Sequence, residues 1–171
     1  MRLHIAVLGS GTAKEDSTEY QQARVLGRKL AKEGFFVYHG GYGGVMEAVA
    51  RGVKEGGGHN VGVTIGKSLD GINLWADAVI KTPSWKERIF RLIEKSDAYL
   101  FLDGATGTLN ELFFIWEMAN KKLHKKPMII LGKRLHRLIR FLKKDPSLKI
   151  PEKFYLVSTI PQAVKILKNE V

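Results

Sequence analysis

Three times in the first 111 residues a short apolar run stops at glycines and gives way to an amphipathic stretch. Leu3–Leu8 runs into Gly9-Ser10-Gly11-Thr12, and Phe35–Tyr38 into His39-Gly40-Gly41-Tyr42-Gly43-Gly44. Ala98–Leu102 runs into Asp103-Gly104-Ala105-Thr106-Gly107-Thr108-Leu109-Asn110-Glu111, followed by the apolar Leu112–Ala119. Runs this short, ended by turn residues, read as buried strands, and the stretch after each has helical period. A chain assembled from such units is expected to be α/β: a doubly wound, mostly parallel Rossmann-like sheet with helices on both faces. Its 171 residues suit one domain spanning 1–171 with a substantial core.

Taken in order, the pattern predicts strands at Leu3–Leu8, Phe35–Tyr38, Val61–Ile65, Ala78–Lys81, Ala98–Leu102, Met128–Leu131 and Lys153–Val157. Helices are expected from about Ser17 to Glu33, Val45 to Lys54, Thr82 to Lys95, after Glu111, Lys133 to Lys144 and Pro161 to Lys168. Asp16 with Glu19 is read as the start of the first helix, and Thr82 with Pro83 as the cap and first turn of the third. Gly66 to Ala76 reads as irregular, with Asn73 and Trp75 either covering a site as a lid or packing within their own loop.

In a parallel sheet every strand-to-helix turn falls at the carboxyl edge, so the three glycine turns are expected to converge on one crevice. Glycines let backbone approach a ligand closely, and the first N–H groups of each new helix point outward with the positive end of the dipole behind them. Such turns suit an anion, phosphate above all. The candidate ligand-binding residues in them are Gly9, Ser10, Gly40, Gly41, Gly43, Gly44, Gly104, Ala105, Thr106, Gly107 and Thr108. Gly9-Ser10-Gly11 is not the G-x-G-x-x-G dinucleotide fingerprint, because position 14 is Lys.

Two charged residues have two readings each. Thr108-Leu109-Asn110-Glu111 fits a capping box, in which Glu111 serves only the helix start; alternatively, Glu111 faces a ribose that develops positive charge. Arg88 is either a surface partner of Glu87 or Glu94, or a side chain long enough to reach the same rim from the third helix. Glu47 in the first turn of its helix is read as a dipole partner, and His39 as a hydrogen-bonded wall residue at a strand end. The five histidines show no ligand spacing, so no metal is expected.

The chain has no cysteine, hence no disulfide framework or thiol site, and a cytoplasmic location is the default expectation. No apolar stretch reaches the roughly 20 residues needed to span a bilayer. The net charge of +11 is local: Lys121 to Lys149 holds eleven Lys or Arg against one acid, Asp145, whereas residues 1 to 120 balance at fourteen against fourteen. That segment reads as a solvated face; without a recognisable nucleic-acid motif, a nucleic-acid partner is not expected.

Arg88, Ser96-Asp97 and Gly104-x-x-Gly107-Thr108-x-x-Glu111 resemble the Lonely Guy family of cytokinin-activating phosphoribohydrolases, long mislabelled lysine decarboxylases. That family carries a P-G-G-x-G-T-x-x-E turn and, upstream, an M-H-x-R-K segment whose Arg precedes the Glu by the same interval as Arg88 precedes Glu111. Val37 to Ala48 is similar to the G-G-x-x-G-x-M-E-A turn of the related molybdenum cofactor carrier proteins, which adds Met46 to the candidate ligand-binding residues. The resemblance implies cleavage of a purine nucleoside 5′-monophosphate to free base and ribose 5-phosphate, with Arg88 and Glu111 catalytic. It also implies no metal or organic cofactor, an AMP-like nucleotide as ligand and a homodimer or higher homo-oligomer. The alternative it carries is a non-catalytic nucleotide or molybdenum-cofactor carrier. This chain departs from the signature at Trp85, Ile89, Asp103 and Ala105. An acid at 103 is expected to add like charge near a phosphate, and a Cβ at 105 to limit close approach.

Overall fold

A computed structural model describes residues 2–66 and 70–170. The chain alternates β1 (His4–Leu8), α1 (Thr18–Lys32), β2 (Phe36–His39), α2 (Val45–Glu55), β3 (Asn60–Ile65), β4 (Ala78–Thr82), α3 (Trp85–Lys95), β5 (Ala98–Phe101), α4 (Thr106–Asn120), β6 (Met128–Ile130), α5 (Lys133–Leu142), β7 (Phe154–Leu156) and α6 (Ile160–Glu170). The seven strands form one sheet in the order β4-β3-β2-β1-β5-β6-β7, and every neighbouring pair is parallel. This is the doubly wound Rossmann-like architecture expected from the apolar runs.

Those runs are continuous because both sheet faces are covered. Ile5, Val7, Ala98, Leu100 and Leu102 point into a core shared with α1, α2 and α6. Their neighbours Ala6, Leu8, Tyr99 and Phe101 point the other way, into a core with α3, α4 and α5. The period of two along each strand thus feeds two cores, one per face.

Two helix starts differ from the sequence reading. Ser17 caps α1, its hydroxyl accepting from the Tyr20 N–H at 3.2 Å, in place of Asp16. Ser84 caps α3, accepting from the Glu87 N–H at 3.3 Å. Thr82 remains in β4 and donates its hydroxyl to Thr64 O at 2.8 Å, which holds the strand one register further than its propensity alone indicates and leaves Pro83 in the turn. Of the irregular stretch expected from Gly66 to Ala76, residues 67–69 lie outside the described residues. The rest packs on its own neighbours: Asn73 N–H donates to Gly41 O, its side-chain amide to Tyr42 O, and Trp75 sits beneath the Arg51 guanidinium. Loop packing, not a lid, is what these two residues do here.

The topology positions the site. After β1 the chain builds outward through β2, β3 and β4, then returns to add β5 on the other side of β1. The turns after β1 and β5 therefore diverge from adjacent strand ends, opening a crevice at the carboxyl edge. The Ser10 N–H donates to Asp103 O at 3.0 Å and ties the two turns together.

Candidate functional site

At that switch point lies a hollow of about 150 Å³. Val7, Leu8, Gly9 and Gly11 come from the end of β1 and its turn, Gly40 and Met46 from the second turn and α2, Trp85 and Arg88 from α3, and Ala105, Gly107, Thr108 and Glu111 from the third turn and α4. The three glycine turns do converge.

Arg88 and Glu111 meet in this hollow. Arg88 Nη1 donates to Glu111 Oε1 at 3.0 Å, and each side chain is 9% exposed. The guanidinium is fixed on its other edges by Nε donating to Val63 O at 2.8 Å and Nη2 to Gly40 O at 3.3 Å, with the Tyr42 ring 5.9 Å from its centre. Gly40 is required by this arrangement, since a Cβ there would fall 2.0 Å from Arg88 Nη2. The surface pairing with Glu87 or Glu94 is thereby corrected: Glu94 bonds Arg91 instead. Burial raises the Glu111 carboxyl above the usual carboxylate range, and the facing Arg88 charge offsets part of that rise.

The capping-box reading of Thr108 and Glu111 is also corrected. The N-cap of α4 is Ala105, so Thr108 and Glu111 both lie inside the helix, where Glu111 projects sideways toward Arg88. Ala105 has no side chain able to cap, and the first backbone bond of this turn runs from Leu109 N–H to Ala105 O. The N–H groups of the first turn are left for a ligand or water.

Asp103 does not bring like charge to the hollow. Its carboxylate accepts from the Arg134 and Leu135 N–H groups, both at 3.0 Å, and caps α5 from a neighbouring turn. The α5 N-cap itself is Gly132, where any Cβ would strike Asp103.

Several predicted residues shape the hollow without lining it. Ser10 carbonyl accepts from the Val45 N–H at 2.7 Å, and Gly44, at φ 65°, lets α2 start against that turn. Gly41 N–H donates to His39 Nδ1 at 3.0 Å, Gly43 sits between these contacts, Gly104 O accepts from Arg134, and Thr106 opens α4 on the exposed side. Because Gly41 donates to Nδ1, the His39 proton is on Nε2 and goes to Asn60 Oδ1 at 2.8 Å. Full burial pushes His39 down to about 4, and its place in the wall matches the sequence reading. Val7, Leu8, Gly11 and Trp85 also line the hollow, beyond the candidates read from sequence; of these, Gly11 and Trp85 carried a signal, one in the first glycine turn and the other one helical turn before Arg88.

A larger hollow of about 600 Å³ lies between α4 and the chain from Leu142 to Lys149. Its charges, Glu117, Lys121 and Lys149, are exposed, and no glycine turn enters it among the described residues.

Residues 2–156 match the model of the SLOG cluster4 family. The chain belongs to the SLOG cluster4 family. An uncharacterised protein of Archaeoglobus fulgidus is 31% identical over 129 residues, 75% of this chain and 83% of that one. The cytokinin riboside 5′-monophosphate phosphoribohydrolase LOG of Oryza sativa subsp. japonica is 37% identical over 127 residues, 71% of this chain; this SLOG chain spans only 52% of that relative's length. Among solved structures, the molybdenum cofactor binding protein of Rippkaea orientalis superposes with a TM-score of 0.81 at 24% identity, covering 99% of this chain and 97% of that one, a likeness of fold. The family match and the phosphoribohydrolase relatives agree with the resemblance carried by the Arg88 to Glu111 motif. No helix among the described residues is long and apolar enough to cross a membrane.

Proposed function

We propose that this protein hydrolyses the N-glycosidic bond of a purine nucleoside 5′-monophosphate, releasing free base and ribose 5-phosphate. The observation that carries this reading is the buried Arg88–Glu111 pair facing a hollow that three glycine turns enclose. The 5′-phosphate rests on the free N–H groups at the start of α4, and the ribose faces Glu111. Glu111 takes a proton from the attacking water and stabilises positive charge on the ribose as the bond to the base breaks; the base leaves with the bonding electron pair and takes up a proton from solvent, while Arg88 holds the carboxylate in place and orients the nucleotide. The phosphoribohydrolase names of the plant relatives support this class of reaction. Incubation with AMP tests it: adenine and ribose 5-phosphate appear with wild type and not with Glu111→Ala. No adenine from wild type, or unchanged release by Glu111→Ala, removes the assignment.

A second reading, a carrier of a nucleotide-like or molybdenum-cofactor-type ligand, draws on the Val37–Ala48 turn and on the Rippkaea orientalis fold neighbour. Calorimetric binding of AMP without release of base selects it. In either case we read the protein as cytoplasmic and as a homodimer or higher homo-oligomer, and the half-exposed Phe90 and Phe113 on α3 and α4 support the association.

A further inference from the structure

The protein has three tryptophans, and two of them are engaged. Trp75 lies 5.2 Å from the Arg51 guanidinium, and Trp116 donates its indole N–H to Lys149 O at 2.6 Å while packing against Phe113 and Phe154. Trp85 has no ring partner and no acceptor for its N–H among the described residues, yet it lines the hollow beside Arg88 with 42% of its surface exposed. It is the first residue of α3, one turn before Arg88, so its ring stands at the rim while the guanidinium reaches inward.

The size of the hollow gives that ring a purpose. At about 150 Å³ it is about half the smallest of the pockets, roughly 300 Å³, that enclose whole organic ligands. A hollow of this size is too small for a whole nucleotide, so with the sugar-phosphate end placed inward the flat heterocycle lies across the rim. A large aromatic surface left without partners at that point is suited to stacking, which tolerates any base because every base has a π-face.

We propose that Trp85 is the base platform of the site, stacking on the heterocycle of a nucleoside 5′-monophosphate and so separating nucleotides from bare sugar phosphates. This rests on the nucleotide reading above and specifies its substrate side. Titration calorimetry with AMP and with ribose 5-phosphate tests it, comparing Trp85, Trp85→Ala and Trp85→Phe, each in a Glu111→Gln background that prevents turnover. Thermal melts verify that each variant is folded. Trp85→Ala weakens AMP by about fivefold to a hundredfold, the scale of one base-aromatic stack, and leaves ribose 5-phosphate unchanged, while Trp85→Phe keeps most of the AMP affinity. Indole emission is quenched by AMP and not by ribose 5-phosphate. Equal losses for both ligands, or no loss for either, overturn the platform while leaving the site's nucleotide reading intact. Failure of the parent protein to bind either ligand removes that reading and the platform with it.

Discussion

Arg88 and Glu111 come from different helices 23 positions apart and meet at 3.0 Å, each carrying the other's countercharge where water has little access. Neither is at a helix end where its charge would serve the dipole, and the guanidinium is held by two strand-end carbonyls, Val63 O and Gly40 O. A buried ion pair of this kind is poor evidence of stabilisation, because desolvation cancels much of the attraction. Its place in the hollow is what the proposed hydrolysis uses.

Breaking the pair from one side leaves an uncompensated buried charge. Arg88→Met and Glu111→Leu are each expected to lower unfolding free energy by about 3–5 kcal/mol, whereas the two combined recover most of the loss. Urea denaturation of the four proteins measures this cycle. Single variants within about 1 kcal/mol of wild type would mean that the pair is solvated in solution.

The raised Glu111 carboxyl fixes the pH dependence. The folded protein holds that proton more tightly than the unfolded chain, so Glu111 favours folding fully below its ordinary 4.5 and progressively less as pH rises through the raised value. The proposed hydrolysis needs the opposite form, the carboxylate. Base release from AMP is therefore expected to rise with pH on a limb lying above 4.5, and Arg88→Leu, which removes the offsetting positive charge, shifts that limb further upward. A pH–rate profile with its acid limb at or below 4.5 would contradict the burial of Glu111.

The crevice was legible in the sequence because its parts are local. A glycine turn after an apolar run is a short-range signal, and parallel topology then forces Gly9, Gly40 and Gly107 to one edge without knowledge of any contact. The features that could not be read depend on partners far along the chain. By sequence Arg88 suits Glu87 or Glu94 equally well, because nothing nearby announces that Val63 O and Gly40 O will claim it. Asp103 reads as a like charge beside an anion because α5, whose N–H groups it caps, begins 30 residues later. Thr108 and Glu111 match a capping box by spacing alone, yet the helix begins at Thr106 and absorbs both.

His39 gives a second pH signature on the acid side. Its neutral form is needed for Nδ1 to accept from Gly41, and burial pulls it down to about 4 from an ordinary 6.5. A depressed histidine supports the fold fully above 6.5 and loses that support as pH falls toward 4, since the unfolded chain takes up the proton first. The shift corresponds to roughly 3 kcal/mol across that window. Denaturation of wild type and His39→Gln between pH 7 and 4 checks it: the variant is less stable at neutrality but shows a flatter slope. Parallel slopes would place the wild-type titration elsewhere.

Asp103 separates a structural role from a role in the hollow. Its two oxygens accept from consecutive N–H groups of α5, so Asp103→Ala leaves that helix start uncapped and is expected to cost about 1 kcal/mol. Asp103→Asn keeps an acceptor and loses the charge-dipole attraction, which is worth only about 0.3–1 kcal/mol at a helix N-terminus. Because the carboxylate faces α5 and does not line the hollow, AMP affinity is expected to stay unchanged in Asp103→Asn at low and high salt. Melting curves and AMP titrations on the two variants decide the matter. Tighter AMP binding by Asp103→Asn at low salt, fading as salt is added, is what a carboxylate repelling the phosphate would produce, and it would return Asp103 to the site.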